Sequence, residues 1–346
     1  MNKLVLILAP IVLGFGGYLA YAAVEKPSHP ALELVHELIQ EHTAEPVTLV
    51  FTGDVMLDRG VALHAAAYGD DSLFRGPREL FAGADEVIIN HEGVMTSHQS
   101  VAIADHSDLR FTFDPRFAEL LADAGVTVAT LSNNHTDDFG ADALTETKNA
   151  LRAAGIASYG SPTNSAGLST SVTTKGNRIC FVGYEGFINT DPTPVAAEIA
   201  RLKPECDFIV ASMHAGEEYQ TGHTALQETA AHAFIDAGAD MVIGTHPHVV
   251  EPLEIYQNKP IFYSLGNFIF DQDFSWATTH AVLVRLALTE DNATYTLLPI
   301  RIKSGETAGD TNADDVQRTF GALLAGQLPP QVFSQIAELG QFMVLR

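Results

Sequence analysis

Short apolar runs alternate with helix-period stretches along most of this chain, and no other feature constrains its fold as strongly. The runs are residues 47–51, 86–89, 126–131, 179–183, 208–212, 241–243 and 261–263. Between them, residues 115–124, 142–154 and 224–237 carry apolar positions at the helical period. The pattern predicts parallel βαβ units and so an α/β fold. A TIM barrel is the competing architecture, because βα alternation fits it as well. Against it stand two longer strand-like runs, 280–288 and 293–302, flanking the hairpin signal Glu290-Asp291-Asn292. These argue for an antiparallel addition to an open sheet. Residues 313–346 read as two closing helices with a turn at Gln327-Leu328-Pro329-Pro330.

The first residues form a separate unit. After Lys3 the chain is apolar from Leu4 to about Ala23 and then meets Glu25, Lys26 and Pro27. That length is long for a signal-peptide core and just sufficient to span a bilayer, while Ala20-Tyr21-Ala22 fits a cleavage site. Residues 1–24 are therefore expected to be a signal peptide or membrane anchor, 25–46 a linker, 47–310 the folded domain and 311–346 a helical extension. Either reading of the amino terminus puts the body of the protein outside the cytoplasm. Of the two cysteines, Cys180 and Cys206, the sequence says only that an oxidising compartment permits a disulfide and that two buried thiols fit equally. With no Cys-x-x-Cys pair, a thiolate zinc site is excluded. The net charge of −24, from 43 acids against 19 bases, opposes nucleic-acid binding.

A polar cluster follows almost every apolar run: Gly53-Asp54, Asn90-His91-Glu92, Asn133-Asn134-His135, His214 with Glu217-Glu218-Tyr219, His246-Pro247-His248, and Ser264-Leu265-Gly266-Asn267. In an open α/β sheet the strand carboxyl ends share one crevice, so these clusters are expected to converge. Asp54 and Glu92 are hard oxygen donors, although each taken alone also suits an ordinary capping role. An Asn carbonyl binds metals and a neighbouring imidazole transfers protons. Pro247 biases His246 toward extended geometry, which would face the two imidazoles of His246 and His248 together. Asp54, Glu92, Asn134, His214, His246 and His248 make a mixed oxygen and nitrogen set that suits zinc, manganese or iron better than magnesium or calcium.

In order and wording, Gly53-Asp54-Val55-Met56-Leu57, Asn90-His91-Glu92-Gly93, Leu131-Ser132-Asn133-Asn134-His135, Met213-His214-Ala215-Gly216-Glu217-Glu218-Tyr219, Gly244-Thr245-His246-Pro247-His248 and Tyr263-Ser264-Leu265-Gly266-Asn267-Phe268 resemble the motifs of the CapA-type capsule-synthesis proteins. That family is associated with poly-γ-glutamate capsule and belongs to the calcineurin-like metallophosphoesterase superfamily. The resemblance, over roughly residues 47–275, implies a four-layer αββα sandwich with one or two divalent cations at the strand ends. It implies Asp54 and His248 on a first metal, Glu92 at the bridging position, and Asn134, His214 and His246 on a second. His135 would be the general acid, and Asn90, Asn133, Glu217, Tyr219 and Asn267 would contact substrate. Met56 stands where many metallophosphoesterases place a histidine, and a thioether is a poor ligand for a hard cation. The implied role is an extracytoplasmic protein in biosynthesis or processing of a surface polymer, by metal-assisted hydrolysis or transfer on that polymer or a phosphoester. The alternative is a non-enzymatic polymer-binding or export component of a membrane capsule-synthesis complex.

Overall fold

The computed structural model describes residues 45–105 and 107–346. The expected anchor or signal at 1–24, and most of the expected linker, lie outside the described residues. Among the described residues no helix is long and apolar enough to cross a membrane.

Strands β1 (Val47–Val55) and β2 (Glu86–His91) open the first sheet; β3 (Val94–Met95) and β4 (Thr112–Phe113) form a small parallel pair beside it, and β5 (Val128–Thr130) and β6 (Ala157–Tyr159) extend it in parallel. The chain then builds a second sheet from β7 (Ser169–Thr174), β8 (Asn177–Glu185), β9 (Phe208–His214), β10 (Met241–Thr245), β11 (Leu253–Tyr256) and β12 (Lys259–Phe262). It returns to the first sheet as β13 (Asn267–Ile269), β14 (His280–Leu288), β15 (Asn292–Lys303), β16 (Glu306–Gly309) and β17 (Gln341–Leu345). β14 runs antiparallel to β1, with Val47 opposite Leu288, and pairs β15 across the anticipated hairpin.

Helices α1 (Arg59–Tyr68), α2 (Asp71–Phe81), α3 (Val101–Ala104), α4 (Phe117–Ala124) and α5 (Gly140–Ala153) belong to the first half. α6 (Thr193–Leu202) and α7 (Ala225–Ala237) belong to the second sheet, and α8 (Trp276–Thr279), α9 (Ala313–Leu323) and α10 (Pro330–Leu339) follow.

Strand alternation sorts the apolar residues into layers. Val50, Val87 and Ala129 face outward with Val61, Phe74, Phe117 and Leu151 of the helices. Leu49, Phe51 and Ile88 face inward, against Ile179, Phe181, Val210 and Ile243 of the second sheet. On that sheet's other side Cys180, Val182 and Ala211 meet Val195, Ile199 and Phe234 of α6 and α7. Helix, sheet, sheet, helix is the four-layer αββα sandwich expected, and two separate open sheets exclude the barrel.

Two local results refine the sequence reading. Cys180 and Cys206 are joined in a disulfide that ties β8 to the turn before β9. The closing helices form, but residues 341–345, expected within a helical extension, are a strand paired with β15. Gly340 ends α10 in the left-handed conformation, and thereafter Phe342 and Val344 are buried while Met343 and Leu345 are exposed. That period of two is a strand pattern, and it is too short to stand out beside a helix.

Candidate metal centre

The parallel strands of both sheets point their carboxyl ends to one crevice. Asp54 at the end of β1 sits in register with Asn90 of β2, while His214 closes β9 beside Thr245 of β10. Asn134 and His135 follow β5, and His246 and His248 follow β10. Gly53 makes the turn of Asp54 possible: a side chain there would meet the Gly266 carbonyl at 1.7 Å, and the Asp54 amide donates to that same oxygen.

The donors converge as expected. His248 Nδ1 lies 3.3 Å from Asp54 Oδ2 and its Nε2 3.8 Å from Glu92 Oε1. His214 Nε2 lies 2.8 Å from Asn134 Oδ1, and its Nδ1 4.0 Å from Asp54 Oδ1. The His246 ring centroid is 4.9 Å from that of His214 and 5.8 Å from that of His248. Asp54, Glu92 and His214 form one group of mutually close donors, and His246, His248 and Glu218 a second.

Residues 48–272 match the family described as bacterial capsule synthesis protein PGA_cap. The chain belongs to that family. It is 29% identical over 309 residues to the capsule biosynthesis protein CapA of Bacillus anthracis, covering 82% of this chain and 74% of that one. It is 28% identical over 330 residues to the PGA biosynthesis protein CapA of Bacillus subtilis, covering 89% and 83%. A Staphylococcus aureus protein provisionally assigned as a 5'-nucleotidase superposes with a TM-score of 0.43 at 13% identity, over 80% of this chain and 57% of that one.

The electrostatics of this capsule synthesis protein's centre favour a cation. Burial, then the neighbouring Asp54 carboxylate, pushes the Glu92 carboxyl well above its ordinary range. Burial acts upward on Asp54 too, but the His248 hydrogen bond, the His248 and His214 charges and the Asn90 amide outweigh it and keep the carboxylate ionised. Burial, then His246, drives His214 well down, while burial and His248 lower His246 to about 3. Neutral imidazoles facing buried carboxylates present lone pairs, which is the state a metal takes up. Glu92 Oε1 and His246 Nδ1 are buried without any hydrogen-bond partner, as donor atoms shaped for an ion would be.

Several expectations for the family motifs are corrected. His246 is not extended: its φ is 100° and that of His248 is 59°. The rings approach through two residues held in conformations that side chains seldom adopt, which is typical of functional sites. Met56 packs in the outer apolar core, where its sulfur accepts the Asp58 amide at 3.0 Å. Asn133, expected at the substrate, spends its whole amide on the protein: Nδ2 donates to Asn90 Oδ1 and the His91 carbonyl, and Oδ1 accepts from the His135 amide and Thr136. Asn267 is likewise committed, accepting from His248 Nδ1 and donating to Gln272 and the Thr278 carbonyl. Asn90 is buried, with Nδ2 within 2.7 Å of Asp54 Oδ1 and 3.3 Å of Glu92 Oε2, so it lies inside the donor cluster instead of at its mouth. Glu217 is exposed, and Tyr219 stacks at 6.0 Å from His248 and receives a hydrogen bond from Gln272.

His135 sits at the rim, half-buried. Its Nδ1 donates to Asp138 Oδ2 at 2.9 Å, which leaves Nε2 3.9 Å from Glu92 Oε1. Phe111 covers the ring at 4.2 Å. Arg59 was not foreseen: its guanidinium lies over the Phe111 ring and pairs with Asp271 at 2.5 Å, near enough to Glu92 to draw that carboxyl's pKa down slightly. The only sequence signal for it was its place five residues after Asp54. Glu218, which lies between the expected contacts Glu217 and Tyr219, joins the His246 and His248 group.

Proposed function

We propose that this capsule synthesis family member is an extracytoplasmic, metal-dependent hydrolase acting in the biosynthesis or processing of a poly-γ-glutamate-like surface polymer. The observation that carries the reading is the convergence of two buried carboxylates, an amide and three histidines on one crevice, with Glu92 Oε1 and His246 Nδ1 left unpartnered. By the family resemblance Asp54, Glu92 and His248 would hold one cation and Asn134, His214 and His246 another, with His214 also within reach of Asp54 and Glu92, and Glu218 within reach of His246 and His248. Zinc, manganese or iron suits this donor set. Bound there, such ions would polarise the scissile group and lower the pKa of a water in the site. His135, oriented by Asp138, is placed to deliver a proton from Nε2 to a leaving group. Tyr219, Glu217 and Arg59 line the approach, where a guanidinium is the natural contact for a substrate carboxylate or phosphate. The names of the Bacillus relatives support a role in polyglutamate capsule, with the surface polymer as substrate and a membrane capsule-synthesis complex as partner. The Cys180–Cys206 disulfide supports an oxidising compartment.

A second reading keeps the metal but not the turnover, as a polymer-binding or export component. Met56 in the apolar core favours it, because one usual ligand position is then lost. Metal content of the purified protein and hydrolysis of polyglutamate and of a generic phosphodiester, with and without manganese, separate the two. The hydrolase reading requires metal-dependent turnover that is lost in His246→Ala and His248→Ala. Bound metal without turnover on either substrate class would sink it in favour of the binding role.

A further inference from the structure

We infer that His280, Asp310 and Asp315 form a second, separate divalent-cation site of the zinc class, which clamps the carboxyl-terminal helix α9 to the start of β14. His280 is the first residue of β14, Asp310 follows β16, and Asp315 lies in the first turn of α9. His280 Nε2 lies 3.8 Å from Asp310 Oδ2 and 3.6 Å from Asp315 Oδ2, and the three side chains form a compact donor group. Those separations are too long for hydrogen bonds. Nevertheless His280 and Asp310 expose only 8% and 3% of their side chains, and both His280 Nε2 and Asp310 Oδ2 are buried with no hydrogen-bond partner. A buried imidazole nitrogen and a buried carboxylate oxygen facing each other unbonded call for something between them.

The outer atoms of all three groups are already held. His280 Nδ1 donates to the Trp276 carbonyl at 2.8 Å, which leaves Nε2 as the free nitrogen. The Asn312 amide donates to Asp310 Oδ1 at 2.9 Å, and Trp276 Nε1 donates to Asp315 Oδ1 at 2.6 Å. Trp276 also stacks on His280 at 4.5 Å, with the Arg318 guanidinium on its other ring contact at 3.9 Å. Metal-binding histidines and carboxylates are characteristically fixed by such bonds through their far atoms.

Charge decides what fits. With Nδ1 as donor, a neutral His280 points a lone pair at two carboxylates, and all three repel one another unless a cation intervenes. A proton on Nε2 would neutralise part of this, but a proton makes short bonds, and neither carboxylate is within reach of one. A tetrahedral ion with bonds of about 2.0–2.1 Å holds its ligands roughly 3.3–3.4 Å apart, and His280 Nε2 stands within a few tenths of an ångström of that separation from each carboxylate. One imidazole and two carboxylates are the donors of a zinc-type site. Asp315 retains 29% of its side-chain exposure, which gives the ion a route in and a water its remaining position.

The test uses the full chain with His214→Ala, His246→Ala and His248→Ala, which takes ligands from both donor groups of the strand-end centre so that it does not mask the result. After chelator treatment, zinc is titrated by calorimetry and the melting temperature is followed with and without it. The clamp predicts about one tight zinc per chain that raises the melting temperature. Adding Asp315→Asn, which can keep the Trp276 bond, should weaken that zinc at least tenfold while leaving the metal-free melting temperature no lower, since it removes one of the repelling charges. His280→Gln serves as a second variant if Asp315→Asn disturbs the fold. Crystals of the unmutated protein grown with zinc should show an anomalous peak between the three side chains. A melting temperature indifferent to zinc, affinity unchanged by both variants, or an anomalous map with no peak there would each overturn the proposal and leave a protonated His280 between two carboxylates.

Discussion

His248 Nδ1 lies 2.9 Å from Asn267 Oδ1, and that bond turns the other ring nitrogen toward Glu92. Asn267 is itself held by Gln272 and the Thr278 carbonyl, so β13 and α8 together aim an imidazole on the loop after β10. Removing the far-side bond of a metal-binding histidine typically costs about 10–100-fold in affinity. Asn267→Ala should therefore weaken metal binding by that factor in competition with a chromogenic chelator, and Asn267→Asp should restore most of it. Equal affinity in all three proteins would mean that His248 is not a ligand.

His135→Ala separates proton transfer from metal binding. The His135 Nε2 lies 3.9 Å from Glu92 Oε1 and its Nδ1 is held by Asp138, so the variant should keep its full metal content. Turnover on the responsive substrate should fall by about 10²–10⁴-fold, mostly in kcat. A variant that loses metal instead would make His135 a ligand.

Glu251 gives a pH dependence away from the metal centre. Burial raises its pKa from 4.5 to about 8, opposed by one hydrogen bond from Gln227. Below pH 4.5 folded and unfolded chains both carry the proton, and Glu251 makes no difference between them. Between 4.5 and about 8 only the unfolded chain ionises, so folding loses up to about 1.4 kcal/mol per pH unit, and above 8 the loss levels off. Glu251→Gln, whose oxygen still accepts from Gln227, should match the parent near pH 5 and exceed its stability at pH 8.5. Denaturant titrations at the two pH values measure this, and parallel pH profiles would contradict it.

Reducing the Cys180–Cys206 bond opens a loop closed over a separation of 26 residues. Chain-entropy arguments put its contribution at about 3.5 kcal/mol. Cys206→Ser should lower the denaturant midpoint accordingly without changing metal content, whereas an unchanged midpoint under reducing and oxidising conditions would show that the bond is not formed in solution.

Much of the centre was legible because it obeys local rules. Asp54, Glu92, Asn134, His214, His246 and His248 each follow an apolar strand, and an α/β sheet collects strand ends whatever their separation. What stayed hidden depends on tertiary contacts. Asn133 and Asn267 look like substrate contacts until their hydrogen bonds are counted. The positive φ of His246 overrides the extended bias that Pro247 imposes, since the surrounding strands fix the loop. Arg59 has no local signature beyond its place five residues after Asp54, and the group around His280 has none. Their ionic partners lie far off in sequence: Asp271 for Arg59, and Asp310 and Asp315 for His280.

The return of the chain to the first sheet has a kinetic consequence. β1 gains neighbours on both sides only when β13 and β14 arrive, and Val47 pairs with Leu288 after the whole second sheet has been laid down. Asp54 and His248 are drawn together by the same closure. Topologies dominated by such distant pairings fold slowly and expose open strand edges meanwhile. The strand-end donor cluster is thus a late product of folding, and chains cut short of β14 should aggregate before that cluster can assemble.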